Sequence, residues 1–170
     1  VLREFFLDRQ VEYFRDYARR FTDLPMLVRL VERDGRMVPD RYLRASDFAD
    51  SLGTPEHAEW KTVCFDADGR PVVPRGSIGF RWPGKDSADA KKWNLEEKDA
   101  GGVDIRLQLS AIDARDAALD VAFPCFAGGD GGDVLIRKVP ARKLDTAGGA
   151  VMVASVFDLL CAHYGLDRGL

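Results

Sequence analysis

The sequence lacks several features that would assign a class of protein directly. It has no apolar run of the ~18 residues that a membrane-spanning helix needs, because its longest apolar stretches are interrupted by Ser155 and Asp158. It has only two histidines, and its three cysteines are far apart, at Cys64, Cys125 and Cys161. An odd number of scattered thiols, without a CxxC or Cys/His cluster, is typical of a reducing compartment and predicts three buried small side chains.

The chain also lacks an excess of positive charge. Its 28 acidic residues outnumber its 25 basic ones, which gives a net charge of −3 and argues against a general binder of nucleic acid or of anionic membranes. Hydrophobic residues make up 46% and charged residues 31% of the composition, as in folded soluble domains. At 170 residues, the length predicts a single domain, 1–170.

Three helices are predicted from capping residues and apolar spacing. The first begins near Asp8, ends before Pro25 and has an apolar face that comprises Val11, Phe14, Tyr17/Ala18 and Phe21. A short second helix begins at Ser46 and ends at Gly53. The third begins after the Ser155 cap, ends at Gly165 and has an inward face that comprises Val156, Leu159, Leu160 and His163.

Short strands separated by turn residues fill the rest of the chain. Met26–Val31 and Arg36–Val38 flank an Asp34-Gly35 turn and predict a hairpin. Strict alternation over Asp104–Ser110 predicts a half-buried strand, and the polar stretch Pro83–Gly102 predicts a long surface loop. Further strands are predicted at Trp60–Phe65, Pro71–Pro74, Ser77–Trp82, Val121–Phe126, Val134–Val139 and Val151–Val153. The fold class is therefore α+β, with a mainly antiparallel sheet, a helix at each end and one short helix between.

One cluster of residue types could meet an anionic partner. Basic and aromatic residues interleave along the chain at Arg75, Arg81, Trp82, Lys85 and Trp93. Guanidinium and ammonium groups beside aromatic rings can hold an anion or dock a neighbouring subunit. Ordinary cation–π packing along an edge strand is the alternative interpretation.

A second motif is the glycine-rich stretch Gly128–Asp133. It fits one copy of the glycine-aspartate nonapeptide that binds calcium in parallel β-rolls, where adjoining repeats complete each site. With a single copy, a hairpin loop is the alternative. The histidines His57 and His163 are far apart and no nucleophile elbow is present, so we predict no catalytic and no metal-binding residue.

Several longer strings carry a family resemblance. They are YFRDYARRFTDLPMLV at 13–28, EWKTV at 59–63, GSIGFRW at 76–82, KWNLE at 92–96, LQLS at 107–110, Phe123-Pro124 and YGLDRGL at 164–170. With these strings the chain resembles, nearly end to end, an internal part of the alpha subunit of respiratory nitrate reductases, which are molybdopterin oxidoreductases.

The resemblance implies a parent that reduces nitrate to nitrite at a molybdenum bis-molybdopterin guanine dinucleotide centre, with electrons supplied through a 4Fe-4S cluster. It also implies an iron–sulfur beta subunit, a membrane haem gamma subunit and a position at the cytoplasmic face of the cell membrane. In the family, the residues that hold the metal centres lie upstream of the matched region. No catalytic residue is therefore carried over, and the fragment alone is expected to be inactive.

Two functional classes follow for the chain itself. It is either a non-catalytic segment of a nitrate-reducing alpha subunit or a free-standing protein-interaction or calcium-binding module. An apolar pattern begins at Val1 without a helix N-cap, and the sequence ends at Leu170 just after a predicted helix end. Both observations favour an internal segment. Outside a parent, the N-terminal helix would expose apolar area, so self-association is expected.

Overall fold

A computed structural model describes residues 9, 11–75, 96–110, 118–124 and 134–166 of the chain. A helix lies at each end of the described part, α1 (Glu12–Phe21) and α2 (Val156–Tyr164). Between them come the strands β1 (Leu27–Arg33), β2 (Arg36–Tyr42), β3 (Cys64–Phe65), β4 (Pro71–Val72), β5 (Ala118–Pro124), β6 (Val134–Pro140), β7 (Arg142–Thr146) and β8 (Gly149–Ser155). The predicted α+β class is confirmed.

Six strands form the main sheet, in the order β6-β5-β2-β1-β8-β7, and β3 pairs with β4 in a separate small sheet. Every neighbouring pair is antiparallel except β2 and β5, which run parallel and pair at Met37 and Val121. Three of the four antiparallel pairs of the main sheet, β1–β2, β5–β6 and β7–β8, join strands that are consecutive in the chain, whereas β1 and β8 are far apart in sequence.

The β1–β2 hairpin is confirmed, and both of its strands are longer than predicted. Asp34 and Gly35 both have positive φ, 51° and 72°, as a two-residue turn that matches the twist of the strands requires. Each face of β1 contributes to a different core, because successive side chains of a strand point to opposite sides. Leu27 packs with Val63, Phe65 and Val153, whereas Val28 packs with the residues beneath α2.

The predicted ends of α2 are confirmed. The Ser155 hydroxyl accepts a hydrogen bond from the Asp158 amide, and Gly165 ends the helix with φ 66°. The predicted inward face is only partly right. Leu159 is buried, but Leu160 is 42% exposed, and Phe157 is buried in its place.

The helix α1 begins at Glu12 rather than near Asp8, which lies outside the described residues. Val11 precedes it in an extended conformation and makes no side-chain cap. In place of the short helix predicted from Ser46, two 3-10 turns occur at Ala45–Asp47 and Ser51–Gly53. Leu52 has φ 50° and ψ 40°, a left-handed conformation that interrupts a continuous helix.

Two other elements differ from the sequence-based expectation. The segment Asp104–Ser110 alternates in burial, with Leu107 and Leu109 inside, but it makes isolated bridges rather than a strand. The strand β7 was not predicted, because its sequence RKLDT is mostly polar, as suits a strand at a sheet edge. All residues of the predicted strand Ser77–Trp82 lie outside the described part, as do most residues of the predicted loop Pro83–Gly102.

Candidate functional site

Only one member of the predicted basic-aromatic cluster can be placed. Arg75 is exposed, its amide donates to the Lys98 carbonyl at 2.9 Å, and its carbonyl accepts from the Glu96 amide at 2.8 Å. The other members, Arg81, Trp82, Lys85 and Trp93, lie outside the described residues, as do Cys125 and the Gly128–Asp133 stretch. The anion or subunit contact therefore stays a prediction, as does the calcium site.

The surroundings of Arg75 are more acidic than the sequence cluster indicated. The segment against which it packs contains a turn in which the Asp99 carboxylate accepts from the Val103 amide at 2.9 Å. In the same turn, Gly102 has φ 88°, and a Cβ there would lie 3.5 Å from an Arg75 guanidinium nitrogen. Nearby, the Lys98 ammonium pairs with Asp104. Arg75 thus lies on a surface of mixed charge.

An aromatic stripe runs along the exposed side of α1. Its members, spaced four residues apart, are Tyr13, Tyr17 and Phe21, which are 78%, 47% and 50% exposed. The rings of Tyr17 and Phe21 stack with centroids 5.1 Å apart. The sequence placed Tyr17/Ala18 and Phe21 on one apolar face, but the contact of α1 with the core is narrow and centred on Ala18.

Ion pairs lie on another side of α1, and one of them joins the helix to a neighbouring segment. The buried Arg19 guanidinium donates to Asp16 at 2.9 Å and to Glu12 at 3.2 Å, and Arg106 approaches Glu12 at 3.4 Å. The Arg19 hydrogen bond holds the pKa of Asp16 below its usual value. Burial opposes the charge of Arg19, but its bonds to Asp16 and Glu12 outweigh this and raise its pKa. These pairs link α1 to the segment that contains Arg106.

A second charged cluster, not predicted from the sequence, lies beside the β1–β2 hairpin. Arg41 on β2 grips the Asp47 carboxylate with two hydrogen bonds of 2.6 and 2.9 Å, and the Arg44 amide adds a third of 2.8 Å. Burial tends to raise the pKa of Asp47, but these bonds lower it overall. Arg29 on β1 approaches the same carboxylate at 3.9 Å. A local capping box joins Arg44 to Asp47, whereas the pairing of β1 with β2 brings Arg29 to the same carboxylate.

The cofactors implied by the resemblance need clusters of thiolate, imidazole or carboxylate ligands. Within the described residues, no group of three or more His, Cys, Asp or Glu side chains is placed to hold a metal ion. Cys64 and Cys161 are buried, and burial raises the pKa of the Cys64 thiol, which disfavours the thiolate that binds metals. The two histidines are also apart: His57 is in an exposed turn, and the His163 ring packs edge-on against Phe123. These residues do not fit either cofactor.

The helices give no indication of a membrane span. Among the residues that the structure describes, no helix is both long and apolar enough to cross a bilayer.

Comparison with known proteins identifies the relatives of the chain. No family model matches it. It is 48% identical over 181 residues to the respiratory nitrate reductase 1 alpha chain of Escherichia coli (strain K12), an alignment that covers 100% of this chain and 14% of that protein. The nitrate reductase alpha subunit of Mycobacterium tuberculosis (strain CDC 1551 / Oshkosh) is 38% identical over 173 residues, with 99% of this chain and 13% of that protein covered. The nitrate reductase alpha chain of Bacillus subtilis (strain 168) is 34% identical over 172 residues, with 100% of this chain and 13% of that protein covered.

The chain therefore spans about one seventh of the length of these relatives. The three alignments cover 99% or 100% of the chain, and each relative is described as a nitrate reductase alpha chain or alpha subunit. By sequence, the whole chain is similar to a single segment of respiratory nitrate reductase alpha chains.

Proposed function

We propose that residues 1–170 form one domain that serves as a non-catalytic, structural segment of a respiratory nitrate reductase alpha subunit. The observation that carries the proposal is the end-to-end match to one segment of those alpha chains. The whole protein would reduce nitrate to nitrite at a molybdenum bis-molybdopterin guanine dinucleotide centre in anaerobic respiration. It would receive electrons through a 4Fe-4S cluster and assemble with an iron–sulfur beta subunit and a membrane haem gamma subunit.

The aromatic stripe on α1 supports a role in packing. Three large rings on one side of a helix form an apolar patch of the kind that marks an interaction surface. In the relatives, about six times the length of this chain lies outside the matched segment. The occupant that we propose for the stripe is an apolar surface of that remaining alpha chain. Burial of three aromatic side chains would stabilise the contact by several kcal/mol, at roughly 25 cal/mol per Å².

The test is made in the complete alpha subunit, assembled with its partners. Tyr17 and Phe21 are both replaced by serine, and the matched control carries Tyr17→Phe and Phe21→Tyr, which keep the rings. We expect the serine variant to lose several degrees of melting temperature and to accumulate less, with the KM for nitrate of the surviving enzyme unchanged. The ring-preserving control should match the parent. Equal stability of all three proteins would contradict the packing role of the stripe.

A separate measurement tests the assignment to nitrate reduction. The complete protein that carries the segment is purified with its cofactors, and nitrite formation from nitrate is followed with a reduced viologen dye as electron donor. Nitrite formation is the expected result. A cofactor-loaded protein that forms no nitrite would refute the assignment, whatever the stripe variants do.

The basic-aromatic cluster is proposed as a contact for nitrate on its approach or for a neighbouring subunit. Of its members, Arg75 is exposed, as such a contact requires. The test replaces Arg81 and Lys85 together by glutamine in the intact enzyme and measures both nitrate affinity and subunit assembly. A loss in either is expected, and no change in both would reject the contact.

The exposed stripe also favours a second candidate, an interaction module that associates with itself when it is separate from other protein. In the 170-residue chain alone, two copies could cover each other's stripes. Sedimentation velocity over a hundredfold concentration range should then show a dimer that the Tyr17→Ser, Phe21→Ser variant loses. A monomer at every concentration would count against this candidate.

A further inference from the structure

An open cleft lies where β1, the first 3-10 turn and the β7–β8 turn meet. Its volume is about 160 Å³, and its lining includes Arg29, Ser46, Asp47, Thr146 and Gly148. The Ala147 amide donates to the Asp47 carbonyl at 2.8 Å, which holds the β7–β8 turn beside the 3-10 turn. The cleft is thus built by a backbone contact between distant parts of the chain.

The one carboxylate in the cleft is already engaged. Asp47 accepts two hydrogen bonds from Arg41 and one from the Arg44 amide, at 2.6 to 2.9 Å. In a bidentate pair of this kind, both carboxylate oxygens accept hydrogen bonds from the same guanidinium group. Asp47 is therefore neutralised largely by Arg41, and its remaining attraction for Arg29 is weak.

Arg29 is the group whose hydrogen-bonding capacity is not used. Its Nη1 lies 3.9 Å from the nearest Asp47 oxygen, which is beyond hydrogen-bonding distance. Its Nε is buried and has no hydrogen-bond partner within the described part of the chain. A guanidinium has several N–H donors in a planar fork, and a buried donor without an acceptor is unfavourable.

We infer that the cleft binds a planar oxyanion group, a carboxylate or nitrate, on the Arg29 guanidinium. Such a group presents two oxygens at the spacing of the guanidinium fork and would accept from the N–H groups of Arg29 that border the cleft. The volume suits a group of a few heavy atoms and excludes a nucleotide. The oxyanion has two candidate sources: free ions, or an Asp or Glu side chain from outside this chain.

The first experiment uses the 170-residue chain and does not depend on the proposed function. Proton–nitrogen spectra follow the Arg29 Nε–H and the Gly148 amide during titration with sodium nitrate or sodium acetate, with sodium chloride at equal ionic strength as reference. We expect saturable shifts with nitrate and acetate and none with chloride. Arg29→Gln should weaken binding at least tenfold, whereas Arg33→Gln, on the same strand and paired outside the cleft with Asp40, should leave it unchanged.

The second experiment distinguishes the sources and rests on the proposed function. Suppose that a side-chain carboxylate occupies the cleft in the complete alpha subunit. Arg29→Gln should then lower the melting temperature, whereas Arg33→Gln should not. Added acetate should leave the melting temperature of the parent unchanged. A free-ion site would instead make the parent's melting temperature rise with nitrate or acetate in an Arg29-dependent way. The inference is overturned if the chain shows no saturable shift and Arg29→Gln behaves as Arg33→Gln in both proteins.

Discussion

Replacement of Asp158 should destabilise the chain by about 3 kcal/mol, although the residue belongs to none of the predicted sites. Asp158 lies in the first turn of α2 and is completely buried. One of its carboxylate oxygens accepts from the Ser110 hydroxyl at 2.6 Å and from the Ser155 hydroxyl at 3.0 Å. It therefore joins the start of α2 to the segment 96–110, and its negative charge lies at the favourable end of the helix dipole.

The magnitude follows from the groups that Asp158→Ala would leave behind. One buried and one half-buried hydroxyl lose the Asp158 acceptor, at about 1–3 kcal/mol each, or about 2–6 kcal/mol together. Removal of a buried carboxylate recovers part of its desolvation, which keeps the net loss in the lower part of that range, at about 3 kcal/mol. Asp158→Asn keeps the shape and one acceptor oxygen but loses the charge, so we expect a loss of about 1–2 kcal/mol.

Guanidinium denaturation followed by circular dichroism measures both losses. The matched control is Asp120→Ala, which removes an exposed carboxylate whose partner is Lys138 at 2.8 Å and which should change stability by less than about 0.5 kcal/mol. If Asp158→Ala prevents folding, Ser110→Ala removes one of the same bonds, with an expected loss of about 1 kcal/mol. A loss for Asp158→Ala no larger than that for Asp120→Ala would refute the reasoning.

Three further outcomes are expected. Burial and a hydrogen bond to Asp23 raise the pKa of Tyr42 from 10.0 to about 12, so the free energy of unfolding should fall as the pH rises from 10.0 to about 12. Tyr42→Phe should remove that pH dependence in thermal unfolding measured at alkaline pH. The Arg19 hydrogen bond lowers the pKa of Asp16 below 3.8, so its contribution is present above pH 3.8 and lost as the pH falls further; Asp16→Asn should flatten the acid-denaturation profile in that window. Burial raises the pKa of the Cys64 thiol, so mass spectrometry should find it unmodified by iodoacetamide in the native chain and alkylated in denaturant.

The elements that the sequence predicted correctly are those with local causes. The ends of α2 depend on Ser155 and Gly165, and the β1–β2 turn depends on Asp34 and Gly35, so each is set by residues next to it. The segment Asp104–Ser110 shows the limit of such reasoning. Its alternation correctly predicted that Leu107 and Leu109 are buried. A strand also needs a partner along its length, and this segment makes only isolated bridges, from Asp66 to Leu107 and from Lys98 to Asp104, within the described residues.

The candidate surfaces were less predictable for the same reason. Helical periodicity grouped Tyr17 and Phe21 with Ala18. Which side of α1 is buried depends on residues that are distant in sequence, since Ala18 packs with Leu109 and Phe157. Arg29 and Asp47 come from separate elements, and their approach depends on the hairpin register. Sequence spacing carries no information about such contacts, because they arise only when strands have paired.

The pairing of β1 with β8 has a consequence for synthesis of the chain. Leu30 lies opposite Met152, so β1 cannot pair with β8 until about 120 further residues have been synthesised. At roughly 5–20 residues per second, a ribosome needs about 6–24 s to supply it. During that interval one edge of β1 and the apolar side chains of Leu27 and Val28 are uncovered on the nascent chain. The slowest and most chaperone-dependent stage of biogenesis should therefore be the wait for β8, and slow codons between the two strands should increase aggregation.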